Sequence, residues 1–142
     1  MALRRDEIMN RAWSWATAPR RYSQEDVDPD TGYRLDCSGY LSMVWGLEPP
    51  GLTTVELPDV CLRIGRTELL PGDALMVGGP GTSGDAGHAI LFEAWADEDR
   101  GRVSVFEQTG SHGTVHRVIE YPAAPYLAYR FRDLHVDDAA GG

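Results

Sequence analysis

Cysteine is scarce in this chain. Its 142 residues contain two, Cys37 and Cys61. That is too few for a disulfide framework, and neither belongs to a CxxC pair. A basic excess is also missing. The formal net charge is -9, which argues against nucleic acid and anionic membrane surfaces as partners, because both need a basic footprint. No apolar run approaches the roughly 20 residues of a spanning helix. The longest, Ala89-Ile90-Leu91-Phe92, is broken by Glu93. No apolar segment follows the charged start Met1 to Glu7, as a secretory signal would require, so a cytoplasmic location is expected. Internal repeats and low-complexity segments are absent. The glycine-rich stretch Gly78 to Gly87 lacks the GK[ST] ending of a phosphate loop and leads into a strand pattern rather than a helix. Nothing in the sequence calls for a cofactor.

What remains is an ordinary globular composition, 42% apolar and 25% charged, at a length that suits one core. Residues 1–135 read as a single domain and 136–142 as a flexible acidic tail. Arg4 to Ala16 predicts a helix with an apolar stripe of Ile8, Met9, Ala12, Trp13 and Ala16, and Pro19 ends it. Arg20 to Arg34 is rich in turn signals. Leu52 to Leu70 is ambiguous, with Cys61, Leu62, Ile64 and Leu69 as core candidates. Leu70-Pro71-Gly72-Asp73 is a turn into a short strand, Ala74 to Val77. His88 to Trp95 and Arg102 to Thr109 form a hairpin around Asp97 to Gly101, and Thr114 to Glu120 and Tyr126 to Arg132 are further extended segments. The fold class is α+β: N-terminal helices packed on a small antiparallel sheet.

Chemistry concentrates in three places. At Leu35-Asp36-Cys37-Ser38-Gly39-Tyr40 the pattern becomes helical, with Asp36 or Ser38 as cap and Gly46 at the far end. Cys37 therefore sits at a helix start, where the dipole favours a thiolate and free backbone N–H groups can receive an oxyanion. His88 opens the outgoing strand of the hairpin and Glu107 lies near the end of the returning one. An antiparallel hairpin brings those ends together on one face. A thiol nucleophile needs a base, and the base needs a third group to hold its tautomer. Cys37, His88 and Glu107 supply these roles; Gln108 is the alternative to Glu107 and a candidate substrate contact. Tyr22 and Gln24 form a hydrogen-bonding cluster close in sequence to Cys37 and can add an oxyanion donor. His112 and His116 have a helical metal-ligand spacing, but Ser111-His112-Gly113-Thr114 reads as a turn, so no metal site is expected.

Asp36-Cys37-Ser38-Gly39-Tyr40, then Leu70-Pro71-Gly72-Asp73-Ala74-Leu75, then Gly87-His88-Ala89-Ile90-Leu91-Phe92, in that order, resemble the NlpC-type cell-wall peptidases, which are papain-like cysteine peptidases. The similarity runs from the first helix to about Thr109. It implies a papain-like fold, Cys37 as nucleophile, His88 as base, Asp36 and Ser38 lining the substrate site, and Tyr22 near the oxyanion. The family's usual third residue is a histidine. Glu107 at that position is similar to the related CHAP amidases instead. The implied reaction is hydrolysis of an amide, γ-D-glutamyl or related, in a small molecule or peptide, through a thioester on Cys37. The same Cys-His-Glu site equally suits an acyltransferase forming an amide in a biosynthetic pathway. A papain-like fold kept as a non-catalytic binding module is the third expectation. The acidic balance, with Asp36 beside the nucleophile, could attract a cationic amine, either as acceptor or as the free N-terminus of a peptide substrate.

Overall fold

The structure, a computed structural model, describes residues 3–134. The predicted acidic tail, 136–142, lies outside the described residues. The fold is α+β. Two helices, α1 (Arg5–Thr17) and α2 (Cys37–Trp45), accompany six strands: β1 (Cys61–Ile64), β2 (Ala74–Val77), β3 (His88–Trp95), β4 (Arg102–Thr109), β5 (Gly113–Glu120) and β6 (Leu127–Phe131). The strands form one antiparallel sheet in the order β1-β6-β2-β3-β4-β5. Among the described residues no helix is long and apolar enough to cross a membrane.

Side chains alternate along each strand, so the sheet has two apolar faces. Met76, Ala89, Leu91 and Phe106 meet the helices, packing with Ile8, Ala12, Trp15, Tyr40, Val44 and Trp45. Leu75, Ile90, Phe92, Val103 and Val105 form a second cluster on the opposite face. α2 is buried along its whole length, from Cys37 to Trp45. Tyr40 stacks on Trp15 with ring centroids 5.2 Å apart, and Trp45 stacks on Phe131 at 5.1 Å. Burying a large apolar side chain of this kind contributes about 2 kcal/mol. These rings set the depth at which the N-terminus of α2 meets the sheet.

Two glycines shape α2. A Cβ on Gly39 would lie 1.9 Å from the Arg34 carbonyl oxygen, so only glycine lets the preceding loop cross the first turn. Gly46 takes a left-handed conformation (φ 74°) and closes the helix, its N–H bonding back to the carbonyls of Met43 and Ser42.

Two expected core positions are corrected. Trp13 is 40% exposed, whereas Trp15 is fully buried. The inward face of α1 runs through Arg5, Ile8, Ala12 and Trp15, because Trp15 is the ring that reaches Tyr40. Trp13 lies edge-on to Phe106 instead, at 4.9 Å. Leu62 is 53% exposed, since β1 is an edge strand and only Cys61 of that pair points inward. The loop before β2 is anchored by Asp73, which is fully buried. Its carboxylate accepts from Arg5 Nη1 (3.2 Å), from Arg130 Nε (3.0 Å) and Nη2 (2.8 Å), and from the Leu70 backbone N–H (2.9 Å).

Candidate active site

α2 begins at Cys37 because Asp36 caps it. Asp36 Oδ1 accepts from the Gly39 N–H at 2.7 Å and from the Ser38 hydroxyl at 3.1 Å, and the Asp36 carbonyl accepts from the Tyr40 N–H at 3.0 Å. The amides of Cys37 and Ser38 come ahead of these at the mouth of the helix. Arg34 fixes the cap from behind. Its Nε donates to Asp36 Oδ2 (2.8 Å), while Nη2 donates to the Ser38 hydroxyl (2.9 Å) and the Leu52 carbonyl (2.7 Å). Asp36 therefore has both oxygens engaged and its charge matched. This pairing leaves Asp36 itself little charge to offer a cationic amine. Ser38 lines the cleft, but its hydroxyl belongs to the same cap.

The hairpin of β3 and β4 has Leu91 opposite Phe106, with a bulge between Phe92 and Ala94. His88 and Glu107 project at the end away from the tight turn. His88 Nε2 is 2.9 Å from Glu107 Oε1, and Cys37 lies close enough to act on the ring's protonation. Burial alone would lower the His88 pKa. The interactions of the ring with Cys37 and Glu107 outweigh it, and the imidazole is pushed up to about 9. At neutral pH His88 thus holds its proton, and Nε2–H donates to the carboxylate. Glu107 is 3% exposed. Desolvation would raise its pKa, but its bonds to His88 and to Arg117 hold the carboxyl below its ordinary range. Arg117 Nε donates to Glu107 Oε2 at 2.7 Å.

Cys37 opens into a cleft of about 200 Å³ lined by Tyr22, Gln24, Arg34, Asp36, Ser38, Thr53, Thr54, Ser83 and Gly84. Ser83 and Gly84 come from the glycine-rich loop before β3, so that loop forms one wall. Gln24 bridges the two rims: its Nε2 donates to the Tyr22 hydroxyl (3.1 Å) and to Asp85 Oδ1 (3.0 Å). Both amide protons of Gln24 are occupied in this way. The Tyr22 hydroxyl accepts, so its own proton is left for a carbonyl oxygen. Burial, together with the charges of Cys37, Asp36 and Asp85, raises the Tyr22 pKa despite the opposing bond from Gln24. The phenol stays protonated and remains a donor.

The structure thus brings Cys37, His88 and Glu107 together, with His88 hydrogen-bonded to Glu107, and puts Tyr22, Gln24, Asp36 and Ser38 around the cleft. It does not bring Gln108 there. As the strand neighbour of Glu107, Gln108 faces the opposite side of the sheet and is fully buried. Its Nε2 donates to the carbonyls of Arg21 (3.0 Å), Arg20 (3.2 Å) and Leu35 (3.3 Å), and its Oε1 accepts from the Thr114 hydroxyl at 2.5 Å. It fastens the loop that carries Tyr22 to the sheet.

Sequence reading missed Arg34, Arg117 and Tyr126. Arg34 was findable as a charge two residues before Asp36. Arg117 follows from the β4–β5 register, in which Glu107 sits opposite Val115 and Arg117 is its diagonal neighbour. Tyr126 has its pKa raised by burial and then by Glu107 and Cys37. Its phenol is thus within electrostatic reach of the site, and no local pattern signals it. His112 and His116 fall on a turn and on β5 rather than a helix. Among the described residues no group of three or more His, Cys, Asp or Glu side chains is placed to hold a metal ion. No protein-family model matches the chain, and no curated protein matches its sequence.

Proposed function

We propose that this chain is a papain-like cysteine hydrolase that cleaves an amide bond through a thioester on Cys37. The observation that carries the reading is the grouping itself: a cysteine at the first position of a buried, capped helix, beside a histidine that is hydrogen-bonded to a buried carboxylate. A helix N-terminus beside an antiparallel hairpin that presents a histidine is the arrangement the NlpC resemblance implies, and the glutamate is similar to that of the related CHAP amidases.

The Cys37 sulfur, its proton resident on His88, attacks the amide carbonyl carbon. The tetrahedral oxygen lies between the Cys37 N–H and the Tyr22 O–H, donors in place before the charge develops. His88 gives its proton to the departing amine, and the C–N bond breaks to leave a thioester. Water, deprotonated by the now neutral His88, attacks the thioester; the C–S bond breaks, the acid product leaves, and the Cys37 sulfur is returned with its proton on His88. Glu107 keeps the ring oriented and stabilises the imidazolium. The NlpC resemblance suggests γ-D-glutamyl peptides or related amides as the first substrates to try.

The test is a screen of γ-glutamyl and related peptide amides with product detection by mass spectrometry. Trapped adducts should map to Cys37, and Cys37→Ala should abolish both turnover and adduct. Turnover that survives Cys37→Ala would reject the reading. Product that forms only when an amine is supplied, with negligible hydrolysis, would assign acyl transfer to the same residues.

A further inference from the structure

We propose that Arg117 is a positioning residue of the Cys37–His88–Glu107 relay: by gripping Glu107 Oε2 it holds Oε1 on His88 and sets the lower end of the pH range over which Cys37 reacts. The inference rests on the reading of Cys37, His88 and Glu107 given above.

Glu107 is buried and its two oxygens have different partners, His88 at 2.9 Å and Arg117 at 2.7 Å. A carboxylate bound through one oxygen can rotate about its last torsion. The second bond removes that freedom, and a guanidinium N–H is a directional donor for it. Arg117 comes from β5, the edge strand, and is 44% exposed. It joins the relay from outside and leaves the cleft open.

The charges facing Glu107 make the role electrostatic as well. From β3 comes the His88 imidazolium, from β5 the Arg117 guanidinium. Cys37 approaches His88 from α2, and the Tyr126 phenol, ahead of β6, is neutral. Without Arg117 the desolvated Glu107 carboxylate keeps one cationic partner, His88, so it takes up a proton at higher pH and loosens its hold on the ring. The acid limb of Cys37 reactivity then moves upward. Because the guanidinium is half-exposed, the displacement lies at the low end for a nearby charge, about one pH unit.

The experiment is the rate of Cys37 alkylation by iodoacetamide from pH 4 to 10, read by peptide mass, with thermal melts alongside. The proteins are the wild-type chain, Arg117→Met, Arg117→Gln, Arg117→Lys, Glu107→Gln and the double variant Arg117→Met with Glu107→Gln. Arg117→Met and Arg117→Gln should each move the acid limb up by about one unit. Arg117→Lys, which keeps the charge without the fork, should recover most of that displacement. In the Glu107→Gln background Arg117→Met should move nothing further, because Arg117 acts through Glu107. Superposable wild-type, Met and Gln profiles would overturn the proposal, as would an equal shift in the Glu107→Gln background. If wild-type Cys37 reacts no faster than Cys61 and shows no acid limb, the parent reading fails and takes the role of Arg117 with it. A reactive wild-type Cys37 whose limb ignores residue 117 rejects the proposal alone.

Discussion

Replacing Gln108 by Ala should cost stability, with chemistry left largely intact. Two amide protons of Gln108 are shared among three carbonyls, and its oxygen takes the Thr114 hydroxyl. Leu35 O keeps the Ser23 N–H and Arg20 O keeps the Thr114 N–H. Arg21 O is the acceptor that depends most on Gln108. Losing the donor to that carbonyl, the bond from Thr114 and a buried methylene amounts to about 3 kcal/mol. In a domain of this size that is a fall in Tm of about 10 °C. Gln108→Glu should behave differently. Its carboxyl would face carbonyl oxygens at a fully buried position, so burial raises its folded pKa above the unfolded value near 4.3. Stability is then retained below the unfolded pKa and lost as pH rises through the folded one. Thermal melts followed by circular dichroism at pH 5 and pH 8 should show Gln108→Glu weakening with pH while Gln108→Ala does not. Cys37 alkylation should persist in the folded state of both variants. A Tm for Gln108→Ala within about 2 °C of wild type, less than 1 kcal/mol, would refute the reasoning. So would loss of Cys37 reactivity without loss of stability, which would return Gln108 to the site.

The two thiols should separate sharply in alkylation. Burial pushes the Cys61 thiol up to about 12, so at pH 7.5 its thiolate fraction is roughly 3,000-fold below that of a free cysteine; peptide-mapped iodoacetamide labelling of folded protein should modify Cys37 first, and early labelling of Cys61 would contradict the assignment. Glu107, held below the ordinary carboxyl range, contributes stability present above its unfolded pKa and lost as pH falls through its folded value. Wild type should therefore lose more Tm than Glu107→Gln between pH 5 and pH 3, and parallel melts would count against the relay.

The readable part of this fold was the part with short-range grammar. Asp36, Cys37 and Gly46 mark the two ends of α2, because capping is decided within a few residues. Alternation put His88 with Ile90 and Glu107 with Val105, and a hairpin needs no knowledge of the rest of the sheet to bring strand ends together. The errors have a common cause. Trp13 and Trp15 lie on different sides of the helix, each with apolar companions, and it is Trp15 that stacks on Tyr40, 25 residues further on. Leu62 is as apolar as its neighbours, but β1 ended at an edge because β6, far along the chain, pairs on only one side of it. Gln108 was one residue from Glu107, and in a strand one residue is the opposite face. What decided its role was the loop at Arg20 and Arg21, which no pattern in the β4 segment encodes.

The buried carboxylates show where sequence charge stops being informative. A net charge of -9 describes the surface. Inside, each of the four buried acids among the described residues has an arginine partner: Asp28 with Arg20, Asp36 with Arg34, Asp73 with Arg5 and Arg130, and Glu107 with Arg117. A guanidinium suits this role because it is always charged and presents directional donors to a planar acceptor. Removing one partner of such a pair leaves a desolvated charge, which costs about 3–5 kcal/mol where both groups are buried. Asp73 and its two arginines fall in that class. Glu107 and Arg117 do not, because Arg117 is half in water. The same chemical pair therefore does two jobs in one sheet. At Asp73 it locks the turn before β2 to α1 and β6. At Glu107 the exposed partner can be exchanged without dismantling the core, so substitutions at position 117 report on the relay more than on the fold.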